Sequence, residues 1–293
     1  MSTAKKLRQA LAAPGLVLAP GAYDALSAKI IAHTGFDAVY VTGYGASASR
    51  LGQPDVGLMS LGEMVTHIRG IVGAVPGVPV IADADNGYGN ALNVRRAVQE
   101  YEAAGVAALQ LEDQMLPKRC GHMEGKRVIS TGEMVGKLRA ALDARTDPDL
   151  VIIARTDARA VEGFEAAIQR CLAYRDAGAD VIFLEAPASR EELAEVGRRV
   201  DAPLFANLIE RGRTPLVPLN DLVEMGYKIA IYPLATLYAA AQAVRDVLVE
   251  LREGGTTEPM IDRMIAFEEF NQLIGLPAYQ KLEARYVPAD ERG

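Results

Sequence analysis

Val151-Ile152-Ile153-Ala154-Arg155-Thr156-Asp157 is the stretch on which the fold turns. Four apolar residues follow one another with no polar alternation, and charge then arrives at once. Such a run reads as a strand buried on both faces, which is the pattern of a parallel sheet. Seven further runs of this kind, each bounded by Gly, Pro or Asp, occupy residues 16–20, 38–42, 78–82, 107–111, 181–184, 203–206 and 229–232. Stretches with helical spacing lie between them, among them 61–75, 94–104, 131–145, 164–177, 190–200 and 237–251. Ser130 and Thr131 followed by Glu133 form a helix start signal, and Ala177-Gly178 a stop. Eight strand–helix alternations within about 250 residues predict an α/β (β/α)8 barrel of the TIM type. A doubly wound open sheet is the structural alternative. No composition break or repeat divides the chain, so residues 1–293 read as one barrel domain. Residues 258–288 are helical in pattern and surplus to the barrel, and are expected to serve oligomerisation.

The 293 residues are 50% hydrophobic and 24% charged, an ordinary globular composition. Trp is absent and aromatics make up 6%, so burial rests on Ala, Val, Leu and Ile. The net charge of −7 argues against nucleic acid, which needs a basic footprint, and against an anionic membrane surface. Two cysteines, Cys120 and Cys171, cannot build a disulfide framework and suggest a reducing compartment. The polar N-terminus lacks the pattern of a signal peptide, and no apolar run reaches the length of a membrane span. A cytoplasmic location is expected.

In a TIM barrel the chemistry sits where strands end and βα loops begin. The strand ends here are Thr42-Gly43-Tyr44, Asp83-Ala84-Asp85, Glu112-Asp113, Arg155-Thr156-Asp157, Glu185 and Asn207. Strands buried on both faces should avoid charge, and these carry it only as they stop, always at the same end. Asp83, Asp85 and Glu112 form an acidic cluster, and adjacent carboxylates raise one another's pKa unless a cation neutralises them. Hard oxygen ligands suit Mg2+ bound through one or two carboxylates and water, with Asp55 in an outer shell; a capping or ion-pair network is the other reading. Arg155 beside them reads as a clamp for a carboxylate or phosphate, or as a salt bridge with Glu185 or Asp157. The glycine-rich segment Gly43-Tyr44-Gly45-Ala46-Ser47-Ala48 nominally matches a dinucleotide fingerprint. Gly52 and Pro54 interrupt any helix that follows, so NAD binding is rejected. The segment reads instead as a turn whose N–H groups can hold an anion.

Residues 114–127, QMLPKRCGHMEGKR, carry four basic residues beside the acidic cluster. That is the composition of a lid over an anionic substrate, although a mobile basic loop can also be merely solvated. Cys120 stands between Arg119 and His122, and cationic neighbours depress a thiol pKa. Cys171, His33 and His67 lie in helical stretches and read as structural.

Lys118-Arg119-Cys120-Gly121-His122 resembles the signature of the isocitrate lyase / phosphoenolpyruvate mutase superfamily. Residues 82–89 (ADADNGYG), 111–114 (LEDQ), 153–158 (IARTDA), Ala206-Asn207 and 212–215 (GRTP) resemble it too, in family order. The resemblance implies a barrel whose terminal helix is swapped between subunits of a homotetramer, a dimer of dimers. It implies Mg2+, with Mn2+ as the alternative, held by Asp83, with Asp85 and Glu112 acting largely through water. It implies that Tyr40, Thr42, Gly43, Tyr44, Arg155, Glu185 and Asn207 surround an α-hydroxy or α-keto acid, and that the Cys120 loop closes on it. Cys120 would then protonate a carbanion released by carbon–carbon cleavage, with Lys118, Arg119, His122 and Glu185 as further catalytic residues. Pro233 resembles the lyases acting on 2-methyl substrates, where oxaloacetate hydrolases of the superfamily carry Ser. Methylisocitrate lyases place an Arg five residues after that Pro for a third carboxylate; Tyr238 stands there in this chain. A small dicarboxylate such as 2,3-dimethylmalate is therefore expected, cleaved to pyruvate and propionate, with 2-methylisocitrate next, Arg211 or Arg213 then compensating. Carboxyphosphonoenolpyruvate phosphonomutases share Pro233 and the Cys-Gly-His loop, so phosphonomutase remains the alternative, followed by oxaloacetate hydrolase. A non-catalytic acid-binding protein on the same barrel is the reading from another class.

Overall fold

The structure is a computed structural model and describes residues 1–121 and 125–288. In chain order its elements are α1 (Thr3–Ala12), β1 (Val17–Ala22), α2 (Ala25–His33), β2 (Val39–Val41), α3 (Gly43–Leu51), α4 (Leu61–Ala74) and β3 (Val80–Asp83). Then come α5 (Ala91–Ala104), β4 (Ala108–Glu112), α6 (Thr131–Ala144), β5 (Val151–Thr156), α7 (Ala158–Val161), α8 (Phe164–Asp176) and β6 (Val181–Leu184). The remainder is α9 (Arg190–Arg199), β7 (Leu204–Asn207), α10 (Leu219–Glu224), β8 (Tyr227–Tyr232), α11 (Ala235–Gly254), α12 (Phe267–Ile274) and α13 (Leu276–Tyr286). The strands pair in parallel in sequence order, and β8 returns to β1 to close the barrel. This is the (β/α)8 barrel expected from the apolar runs, and closure excludes the open sheet.

Two faces of each strand feed two cores. Ala19, Tyr40, Ile81, Ala108, Ile153, Phe183, Phe205 and Ile229 fill the interior. Val39, Ala82, Leu109, Ile152, Ile182 and Ala206 pack outward against the helices. Helix α1 adds Ala4, Leu7 and Leu11 to the interior core. Its Arg8 donates to the carbonyls of Asp149 and Leu150 and pairs with Asp180 at 2.9 Å. The N-terminal end of the barrel is thereby filled, and a cleft opens at the opposite end.

The helices start as their caps dictate. Ser130 accepts from the Glu133 amide at the head of α6, and Asp24, Ser60 and Asn90 head α2, α4 and α5 with reciprocal capping bonds. The glycine-rich segment departs from its expected turn: residues 43–51 are helical, capped by Thr42, whose hydroxyl accepts from Gly45 N, and stopped by Gly52 in the left-handed conformation. Glycine is needed in it because a Cβ on Gly45 would lie 2.9 Å from Cβ of Tyr23. The cap and close packing outweigh the poor helix propensity of glycine.

The chain divides into two compact units, 1–237 and 238–293. The second holds most of α11, a 3-10 turn (Glu258–Arg263), α12 and α13. It leaves Phe267 83% and Tyr279 70% exposed, with Met260 buried. Among the described residues no helix is long and apolar enough to cross a membrane.

Candidate active site

Strand periodicity explains which residues meet at the mouth. Side chains alternate between faces, so each strand's interior register continues into its last residues. Ile81 leads to Asp83, Ala108 to Glu112, Ile153 to Arg155, Phe183 to Glu185 and Phe205 to Asn207. Tyr40 leads to Thr42, and Ile231 to Pro233. All seven end residues line one cleft, together with Tyr40, Tyr44, Asp55, Lys118, Arg119, Cys120 and Gly121. Ile209, Ile231, Pro233 and Leu234 form its apolar wall. Gly43 lies against the carboxylates, since a Cβ there would sit 2.8 Å from Asp83 Oδ2. His122 lies outside the described residues.

Arg155 donates through Nε to Asp157 Oδ2 at 2.9 Å and through its terminal nitrogen to Asp157 Oδ1 at 3.1 Å. Glu112 is 3.5 Å from the guanidinium and Glu185 3.9 Å. Burial would lower the Arg155 pKa, but Asp157, Glu185 and Glu112 outweigh it and hold the pKa well above its ordinary value. The salt-bridge reading of Arg155 is thus correct for Asp157, and Arg155 still lines the cleft. Asn207 Nδ2 donates to both oxygens of Glu185, at 3.3 and 3.2 Å.

Lys118 stands among the carboxylates. Its Nζ is 2.6 Å from an oxygen of Asp55 and 2.6 Å from Asp85 Oδ1. Burial opposes its charge, yet Asp85, Asp55, Asp83 and Glu112 push its pKa well up, so it remains an ammonium. Asp85 is therefore turned to Lys118 from a left-handed backbone (φ 47°), while Asp83 and Glu112 face the cleft. Burial raises the carboxyl pKa of Asp83, Asp85 and Asp55, and that of Glu112 most clearly.

Six buried carboxylates, Asp55, Asp83, Asp85, Glu112, Asp157 and Glu185, thus share three buried cations, Lys118, Lys126 and Arg155. Glu112 Oε1 is buried without a hydrogen-bond partner. Among the described residues no three acidic, His or Cys side chains form a complete metal cage. An excess of buried negative charge and an unpartnered oxygen suit a hard divalent cation that keeps most of its waters.

The strand ends also carry residues of the opposite register, and these hold the frame. Asp113, next to Glu112, points outward and accepts from Asp157 N, Thr156 Oγ1, Tyr174 OH and Arg170. Arg170 also bonds the Ile129 carbonyl where the Cys120 loop rejoins α6. Sequence reasoning missed Asp113, Arg170 and Lys126. The signal for Arg170 was a charge on the buried face of α8, between Ala167 and Tyr174. Cys171, on the same face, is buried as expected of filler, and burial raises its thiol pKa.

Residues 7–252 match the family model described as phosphoenolpyruvate phosphomutase. The chain belongs to the phosphoenolpyruvate mutase / isocitrate lyase superfamily of enzymes. It is 52% identical to the 2,3-dimethylmalate lyase of Eubacterium barkeri over 98% of this chain and 99% of that one. It is 48% identical to the chloroplastic carboxyvinyl-carboxyphosphonate phosphorylmutase of Arabidopsis thaliana, covering 93% of this chain and 81% of the relative. A crystal structure of a 2,3-dimethylmalate lyase superposes with a TM-score of 0.93 at 40% identity, over 100% of this chain and 98% of the other.

Proposed function

We propose that this enzyme cleaves the carbon–carbon bond of a 2-hydroxy-2-alkyl dicarboxylate of the 2,3-dimethylmalate type, yielding pyruvate and a carboxylic acid. The observation that carries the reading is the division of the cleft. Asp83, Glu112 and Arg155 stand at the ends of β3, β4 and β5, and the apolar Ile209, Ile231, Pro233 and Leu234 at or just after β7 and β8, across the closed barrel. Of the basic lining residues, Lys118 is committed to Asp55 and Asp85, which leaves Arg155, itself steadied by Asp157, and Arg119 to meet substrate carboxylates. Arg211 and Arg213, the candidates for a third carboxylate, are not among the lining residues. A buried carboxylate without a partner costs several kcal/mol, so a dicarboxylate with alkyl groups fits better than 2-methylisocitrate. The 52% identity to a 2,3-dimethylmalate lyase supports the same choice.

Asp83 would hold Mg2+ (or Mn2+), with Asp85 and Glu112 reached through water and Asp55 further out. When bound, the ion supplies positive charge to the substrate oxygens as they become anionic. Arg155, held in orientation by Asp157, holds a substrate carboxylate, and the amides at the head of α3 face the same acid. Tyr40, Thr42, Tyr44 and Asn207 orient it. Transfer of the substrate hydroxyl proton to a basic group of the cleft releases the adjacent carbon–carbon bond, leaving a carbonyl on one fragment and the electron pair on the departing carbon; that proton later restores the Cys120 thiol. The Cys120 Sγ proton goes to that carbon, and the seated loop keeps water out. Glu185 and Arg119 adjoin this transfer.

Incubating the protein and Mg2+ with 2,3-dimethylmalate, 2-methylisocitrate and oxaloacetate tests the proposal. Pyruvate from the first is expected; oxalate from the third alone would overturn it. The identity to the plant phosphorylmutase favours a second reading, transfer of phosphorus from oxygen to carbon, which phosphorus NMR on a carboxyphosphonate detects. Cys120→Ser should abolish turnover while retaining substrate binding. We also infer a homotetramer, supported by the exposed Phe267, Tyr279 and Leu282 of the second unit. Light scattering reads its mass.

A further inference from the structure

Lys126 has no part in the chemistry above, yet it is among the least exposed charged side chains of the molecule, at 2%. Lysine is rarely buried to this degree unless paired. Its Nζ donates to Asp157 Oδ1 at 2.7 Å and to the carbonyl of Gly121, the residue after Cys120. Asp157 is the carboxylate that holds Arg155. One ammonium therefore joins the backbone beside the thiol to the anchor of the guanidinium clamp.

Other contacts secure the two ends of the loop and its Arg119 side. Gln114 bridges Val128, Met115 N donates to the Arg127 carbonyl, and Ile129 N donates to the Asp113 carbonyl. These bonds hold the base of the loop. The Gln114 side chain holds Arg119, donating to its carbonyl at 2.8 Å and accepting from its N–H at 2.9 Å. Cys120 N donates to the Asp55 carbonyl at 3.3 Å, Lys118 reaches the acidic cluster, and Lys126 holds the Gly121 side of the tip. Lys126 and Lys118 thus pin opposite flanks of the Cys120-Gly121 segment.

We propose that Lys126 is a positioning residue that latches the Cys120 loop onto the Arg155–Asp157 pair and so sets the thiol over the cleft. The proposal rests on the reading that Cys120 works within that cleft. A coupling follows from shared charge. Arg155 and Lys126 both bond Asp157 Oδ1, so a ligand carboxylate that draws the guanidinium away leaves Asp157 more dependent on Lys126. Ligand binding then strengthens the latch, and by reciprocity the latched loop strengthens ligand binding.

The test is the rate at which iodoacetamide labels Cys120 in ligand-free protein, read by mass spectrometry, in wild type and Lys126→Met. Buried Cys171 serves as the control for intact folding. The latch predicts labelling at least ten-fold faster in the variant, with kcat reduced by a similar factor and partly restored in Lys126→Arg. An unchanged rate overturns the proposal. A slower rate also overturns it, because it would show that the ammonium serves only to favour the thiolate. If Lys126→Met does not fold, Lys126→Gln keeps a donor for the Gly121 carbonyl and removes only the charge, with the same outcomes deciding. The labelling needs no substrate. A failed substrate screen therefore leaves it standing, and a failed latch leaves the lyase reading standing.

Discussion

Gly121→Ala separates closure of the loop from stability of the fold. A Cβ built at residue 121 would meet Glu185 Oε1 and a terminal nitrogen of Arg155, with Glu185 Cδ at 2.6 Å. Those side chains are not free to swing aside. Arg155 is held by Asp157 at 2.9 Å, and Glu185 by Asn207 at 3.2 Å. The loop must yield instead, and restoring van der Waals contact moves it by about 1 Å. A displacement of that size at reacting groups costs on the order of 100-fold, which is ~2.7 kcal/mol of transition-state stabilisation. The backbone of Gly121 is not among the left-handed glycines, so alanine adds no torsional strain. We expect kcat/KM to fall about 100-fold on the acid the screen identifies, with the thermal midpoint essentially unchanged. Steady-state kinetics and calorimetry on the same preparation decide it. Wild-type kcat/KM in Gly121→Ala would show that chemistry does not need the loop seated on Arg155 and Glu185.

Arg170→Leu strips the cation from Asp113 at the centre of the outward network. Breaking a buried pair costs about 3–5 kcal/mol, and the bonds that Asp113 keeps from Tyr174, Thr156 and Asp157 favour the lower figure. A unit of this size should lose roughly 6–12 °C in Tm, and an unchanged melting curve would refute the role. Arg155→Lys cannot span both oxygens of Asp157 as a guanidinium does. It should lose about two orders of magnitude in kcat/KM, and retention of activity would remove the clamp. His67 gives a pH signature. Burial and then Arg50 hold its pKa below the ordinary value, so the unfolded chain takes up a proton at a higher pH than the folded one. Stability should therefore fall as pH drops through the unfolded pKa near ~6.5. His67→Gln should remove that part of the slope in urea midpoints between pH 5 and 8, and identical slopes would contradict it.

Much of the site was legible before any coordinates. The strand ends named Asp83, Glu112, Arg155, Glu185 and Asn207, because charge tolerated only where a buried strand stops is charge kept for use. The segment around Cys120 announced a loop by its glycines, while its cations left both a lid and a solvated loop open. The helix over 43–51 was not legible, since glycine content argues against helix, and only the Thr42 cap and the packing against Tyr23 override it. Nor was the placement of Lys118, which from its neighbours in the chain belongs with Arg119 and Cys120 but in space neutralises Asp55 and Asp85.

What the chain alone determined is the parallel barrel and the end at which its polar residues gather. Both follow from local facts: apolar runs that fit only a doubly covered strand, and polar residues in register at one end of each. What the tertiary structure decided is the division of labour between neighbours. Glu112 faces the cleft and Asp113 the frame; Arg155 lines the site and Arg170 braces it. Lys126 reaches Asp157 across 31 positions of sequence. Adjacent residues of one charge look alike in a sequence. Which of them meets substrate depends on the face each strand turns inward, and that is set only when the sheet closes and the helices dock.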